Sequence, residues 1–102
     1  MSPETLHHLL QSTPDSIQLI DVREPYERNI CHIGGELIPM AQLLTSMDHF
    51  DKEKQVVIYC KSGGRSALAL KLFLNAGFKN VSHLDGGILA WQSSIDQTLA
   101  RY

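Results

Sequence analysis

At 102 residues the chain has room for one well-formed core and not for a second, so a single domain over 1–102 is expected. Its net charge of −2 excludes a broad basic face for nucleic acid or an anionic membrane, so any positive site must be local. No apolar run is long enough to span a membrane, and Met1–Thr5 lacks the charged and apolar regions of a secretory leader, so a cytoplasmic location is expected.

Taken in order, Ser2-Pro3-Glu4 reads as a helix start, with a capping serine, proline at the first helical position and an acid near the positive dipole end. Leu6, Leu9 and Leu10 supply its apolar face, and Thr13-Pro14-Asp15 ends it. Ile17–Val22 reads as a buried strand. Asp21, at its end, is placed to accept loop amides, and Arg23 to pair with a nearby acid; a structural role for both is preferred over one in the site. Pro25–Asn29 predicts a short helix, Cys31–Gly35 a loop, and Glu36-Leu37-Ile38 a short strand closed by Pro39. Met40–Met47 predicts a helix with Leu43, Leu44 and Met47 on one side and Phe50 closing it onto the core. Asp51–Lys54 reads as a solvated charged link.

The next stretch organises the chain. Val56-Val57-Ile58-Tyr59 is a buried strand, and Ala67–Ala76 a helix whose only polar positions are Lys71 and Asn75, which predicts burial around most of its circumference. Between them lie Cys60, Lys61, Ser62, Gly63, Gly64, Arg65 and Ser66. The two glycines let the backbone curl and turn successive N–H groups toward one centre. The helix start adds unpaired N–H donors and its positive dipole end, and Lys61 and Arg65 add full charges. A thiol at the mouth of such a ring ionises more easily than a free cysteine, with its pKa of about 8.5. Cys60 is therefore read as a nucleophile over an anion cradle, in preference to a small buried residue ending a strand. Neither nucleotide phosphate-loop pattern is present.

Gly77 predicts a helix C-cap, Val81–Leu84 a further strand, and Gly86-Gly87 the opening of a last helix with Ile88, Trp91 and Ile95 at helical spacing. Trp91 reads as core. Gly86-Gly87 either approach the Cys60 loop or let helix pack on strand; packing is preferred. Alternating strands and helices predict an α/β layer fold with a parallel sheet and right-handed crossovers. The site then lies beyond the carboxyl ends of the strands.

Cys31 and Cys60 form no Cys-x-x-Cys and are expected as free thiols. The five histidines show no ligand-like spacing, so no metal site is expected.

Three ordered stretches resemble the single-domain rhodaneses, the thiosulfate sulfurtransferase family: Leu19–Glu24 with His32–Gly35 and Ile38-Pro39; Cys60–Ser66; and Leu84–Trp91. They cover almost the whole chain. The resemblance implies a rhodanese-like three-layer domain, a central parallel sheet flanked by helices. It implies Cys60 as the catalytic residue, with Lys61, Ser62, Gly63, Gly64, Arg65 and Ser66 binding substrate. It further implies transfer of a sulfane sulfur from thiosulfate or a persulfide donor, through a persulfide on Cys60, to cyanide, a small thiol or a protein acceptor. Nothing in that chemistry requires a cofactor. The chain departs from the family at Cys31, where glycine is usual, and at Glu36, often alanine. Cys31 is expected to be packed or idle rather than a second redox thiol.

Two alternatives belong to other classes. Tyrosine-phosphatase-like enzymes also set a cysteine in an amide cradle with an arginine, but with five residues between the two, where Cys60 and Arg65 are separated by four. A sulfur-carrier role is the other. The chain opens on its first helix where the family usually has a short strand, and Gly35–Pro39 resembles the rhodanese domains fused to ubiquitin-activating-like adenylyltransferases.

Overall fold

The computed structural model of the chain describes residues 1–102. Four strands form one parallel sheet: β1 (Ile17–Asp21), β2 (Glu36–Leu37), β3 (Gln55–Tyr59) and β4 (Val81–His83), in the spatial order β2-β1-β3-β4. Five helices connect and cover it: α1 (Pro3–Ser12), α2 (Pro25–Ile30), α3 (Leu43–Ser46), α4 (Gly64–Asn75) and α5 (Gly87–Ser94). No helix is long and apolar enough to cross a membrane.

The interior strand β3 divides the core by the two-residue alternation of a strand. Val56, Ile58 and Cys60 face one side and join Ile20, Val22, Leu43, Met47, Ala69, Phe73 and Phe78 beneath α3 and α4. Val57 and Tyr59 face the other and join Leu6, Cys31, Leu84, Ile88 and Trp91 beneath α1 and α5. The sheet thus lies between two apolar layers, the three-layer arrangement expected. Trp91 is core, as read, and Phe50 sets its ring 6.1 Å from that of Phe73.

The register places the functional ends together. Ile17 to Asp21 run level with Gln55 to Tyr59, and Val56, Val57 and Ile58 with Val81, Ser82 and His83. Ser2 caps α1 through the Thr5 N–H at 3.1 Å. Gly77, at φ +94°, ends α4 by donating its N–H to the Leu74 carbonyl.

Four expectations need correction. The helix predicted over Met40–Met47 is broken into a 3-10 turn at Met40–Gln42, a single α-turn in α3 and a second 3-10 turn at Met47–His49. Leu43 and Met47, four apart, are buried, but Leu44 is 69% exposed, because the adjacent position on a helix rotates away from the core. The helix after Cys60 begins at Gly64, so Arg65 and Ser66 belong to its first turn. Nor is α4 buried all round: it packs through Ser66, Ala69 and Phe73, and Leu68 and Leu74 face outward at 53% and 49% exposure. One sheet face suffices to cover a single stripe of that helix.

Candidate active site

Cys60 follows β3 directly and is buried, at 1% exposure. The turn behind it is made by Gly63, whose φ of +112° suits glycine alone and which serves as the N-cap of α4. That turn brings the Gly63 N–H to 3.1 Å from the Cys60 sulfur. The first turn of α4 adds the Ser66 N–H at 3.4 Å, and the Ser66 hydroxyl lies 3.5 Å from the same sulfur. Burial alone would push the thiol pKa up. Hydrogen bonds from the Ser66 hydroxyl and amide, then from the Gly63 and Ser62 amides, outweigh it and hold the pKa below its ordinary value. The loop thus carries a thiol poised to ionise, with donors aimed at its sulfur.

The loop's outer backbone is fixed by α5. Ile88 donates its N–H to the Cys60 carbonyl at 2.9 Å and Leu89 to the Lys61 carbonyl at 3.1 Å. Gly87, at φ +63°, lies so close that a Cβ on it would fall 2.6 Å from the Ser62 nitrogen and nearer still to the Lys61 carbonyl. The preference for Gly86-Gly87 as a mere packing device is therefore corrected: Gly87 sits against the cysteine loop, and the helix it opens spends two of its unpaired N–H donors on the loop's carbonyls.

The two cations of the loop are both engaged. Arg65 makes a bidentate pair with Glu27 of α2, at 2.6 and 2.8 Å. Glu27 is 2% exposed, and its pKa is drawn from an ordinary 4.5 down to about 2, first by the Arg65 hydrogen bond, against the opposing effect of burial. The Tyr102 hydroxyl donates to Glu27 at 2.9 Å and accepts from Arg23 at 3.0 Å. Lys61 sets its ammonium 4.5 Å from the centre of the Tyr102 ring. Beyond Tyr102, the fully buried Arg23 grips Asp21 through two bonds of 2.8 Å and donates to the Cys31 carbonyl at 2.7 Å. Asp21 and Arg23 thus brace the end of β1, the structural role expected of them. Ser62 and Gly64 lie on the exposed outer edge of the loop.

Cys31 is buried in the layer beneath α1 and α5, on the opposite side of the sheet from Cys60, with Gln92 Nε2 3.7 Å from its sulfur. It is packed, as expected. Sequence reasoning passed over Glu27, Tyr102 and His83, whose Nδ1 lies 2.9 Å from the Ser66 hydroxyl. Glu27 carried a faint signal, three residues after Glu24 at a helix start, and its carboxylate accepts the Glu24 N–H at 2.9 Å. Tyr102 and His83 carried none, since only the tertiary register brings them to the loop.

The family model for the rhodanese-like domain matches residues 2–94. Over 106 aligned residues, all of this chain, it is 40% identical to the "Probable adenylyltransferase/sulfurtransferase MoeZ" of Mycobacterium tuberculosis, of which it covers 26%. It is 38% identical over 89 residues to the "Sulfurtransferase" of Allochromatium vinosum, covering 86% of this chain and 82% of that one. The chain thus spans only a quarter of the first relative's length and most of the second's. The crystal structure of a rhodanese-like domain protein from Staphylococcus aureus superposes with a TM-score of 0.83 at 28% identity, covering 100% of this chain and 96% of that one. With its parallel sheet, the cysteine loop at the sheet's carboxyl edge and these relatives, the chain belongs to the rhodanese-like domain family.

Proposed function

We propose that the protein is a sulfurtransferase that carries a sulfane sulfur on Cys60. The observation that supports this most is the Cys60 sulfur itself, held 3.1 Å and 3.4 Å from two backbone N–H donors, with its pKa lowered by the Ser66 hydroxyl together with these amides. In the first half-reaction the Cys60 thiolate attacks the outer sulfur of thiosulfate or of a small persulfide. A bond forms between Cys60 Sγ and that sulfur, and the donor's sulfur–sulfur bond breaks with its electron pair leaving on sulfite or on the donor thiolate. In the second, an acceptor thiolate or cyanide attacks the outer sulfur and Cys60 leaves as a thiolate. Each half exchanges one bond to sulfur for another. The amides of Lys61 to Ser66 are suited to the anionic outer sulfur in the way an oxyanion hole is suited to oxygen. The Arg65 charge acts from its seat on Glu27.

A protein acceptor is favoured as a second reading by the relative named both adenylyltransferase and sulfurtransferase, in which the matching stretch is a quarter of a longer chain. The phosphatase alternative is disfavoured by the four-residue spacing from Cys60 to Arg65 and by the absence of an acid within the loop to protonate a leaving oxygen.

Mass spectrometry after exposure to thiosulfate or glutathione persulfide is expected to show one added sulfur atom on Cys60, discharged by cyanide or by an acceptor thiol. Cys60→Ser is expected to abolish both steps, since an alcohol supplies no anion at neutral pH, and Cys31→Ser to retain most of the activity. Equal loss from both substitutions, or Cys60-dependent release of phosphate from an aryl phosphate without sulfur transfer, would overturn the assignment.

A further inference from the structure

We infer that His83 is a positioning residue for Cys60 that draws the thiol proton away through the Ser66 hydroxyl. The inference rests on the reading of Cys60 as the sulfur-carrying nucleophile and adds to it the group that sets its ionisation. Three atoms lie in a row. The Cys60 sulfur is 3.5 Å from Ser66 Oγ, and Ser66 Oγ is 2.9 Å from His83 Nδ1. Ser66 is fully buried, so its hydroxyl has no solvent partner to exchange with. Its remaining neighbour is the Gly63 carbonyl, at the longer distance of 3.2 Å. His83, by contrast, is half-buried and can return a proton to water.

The fold dictates the row. His83 ends β4 level with Ile58, two residues before Cys60 on the adjacent strand, while Ser66 sits in the first turn of α4, which packs over both strands. The imidazole therefore meets the loop from the sheet side, and the serine bridges the gap.

The thiol donates to Ser66 Oγ, and Ser66 donates to Nδ1 of the Nε2–H tautomer. In the transfer the Cys60 S–H bond breaks and its proton passes to Ser66 Oγ. The proton that Ser66 held passes to His83 Nδ1. A thiolate and an imidazolium result, nothing is oxidised or reduced, and Ser66 turns its hydroxyl onto the sulfur beside the Gly63 and Ser66 amides. The charged groups around His83 do not compete for the ring. On α4 these are Arg65, held by Glu27, and Lys71, which is exposed; on the loop, Lys61, stacked on Tyr102. The Met1 ammonium bonds the His83 carbonyl at 2.9 Å and pairs with Asp85, and β3 offers the apolar Ile58. Ser66 alone bonds the imidazole.

His83→Asn separates this role from a structural one, because the asparagine carbonyl accepts the Ser66 hydroxyl but takes no proton at neutral pH. The readout is the pH dependence of iodoacetamide alkylation of Cys60 in a Cys31→Ser background, with circular dichroism to confirm folding. The alkylation midpoint is expected to rise by about one pH unit in His83→Asn and by a similar amount in Ser66→Ala. The double variant is expected to add little, as for two members of one chain. A His83→Asn midpoint equal to that of the parent overturns the inference, and so does a rise confined to Ser66→Ala, which would make Ser66 a donor acting alone. Alkylation needs no sulfur donor. A parent protein with the expected midpoints but no persulfide would refute the sulfurtransferase reading and leave the relay standing.

Discussion

Arg65 was legible in the sequence as a cation five residues beyond Cys60, but its partner was not. The pairing needs α2 and the first turn of α4 to meet across the sheet edge, and no local pattern records that approach. The consequence is chemical. Glu27 neutralises much of the Arg65 charge, so amides and a hydroxyl, rather than a free guanidinium, surround the Cys60 sulfur. The two residues should then respond in opposite senses. Arg65→Ala leaves a buried carboxylate beside the loop and should raise the Cys60 alkylation midpoint, with thiosulfate kcat/KM falling about tenfold, the loss of one charge-assisted hydrogen bond of about 1.5 kcal/mol. Glu27→Gln leaves the Arg65 charge unopposed and should lower the thiosulfate KM about three- to tenfold, as one unit charge at partly screened range allows. Steady-state kinetics on both variants checks this. Shifts of the same sign would show that the pair is only a brace between α2 and α4.

Among the elements, the strands were the most readable. Val56–Tyr59 is an apolar and aromatic run too short for a helix, and it forms all but the first residue of β3, with Cys60 directly after it as read. The helices were less so, because composition does not say which part of an apolar helix is covered; hence the misplacement of Leu44 and of the outer side of α4. The role of α5 was half-visible. Its Gly-Gly start was evident, but the reason for it lies in the backbone of another segment. Gly87→Ala tests that reason. The new Cβ would meet the Lys61 carbonyl and the Ser62 nitrogen, which are backbone and cannot swing aside, and the residue would keep a left-handed φ. Overpacking and strain together should cost about 3 kcal/mol in denaturant unfolding. They should also depress Cys60 reactivity, because Ile88 and Leu89 would lose their grip on the loop. Full retention of both would mean that α5 and the loop move apart freely.

On the scale of the whole molecule, two apolar layers hold the sheet, while a line of polar side chains joins its carboxyl edge to the rest. From Asp21 and Arg23 through Tyr102 to Glu27 and Arg65, this line ties the end of β1 to α2, α4 and the end of the chain. Such a chain of mostly buried charges contributes little net stability while intact, but breaking it leaves the buried Asp21, Arg23 or Glu27 without a partner. Acid breaks it at Glu27. Glu27 titrates near 2 in the folded protein against 4.5 as its ordinary value, so the unfolded chain binds its proton first as the pH falls. The stabilisation this residue gives is therefore complete above about pH 4.5 and drains away as the pH drops toward 2. Urea unfolding of the parent protein should show stability declining across that interval. Glu27→Gln should be less stable at neutral pH, where Arg65 loses its partner, and should show a flatter decline between pH 4.5 and 2. The two stability curves should therefore converge at the acid end. Parallel curves would mean that the acid sensitivity resides in other carboxylates and that Glu27 stays paired through protonation.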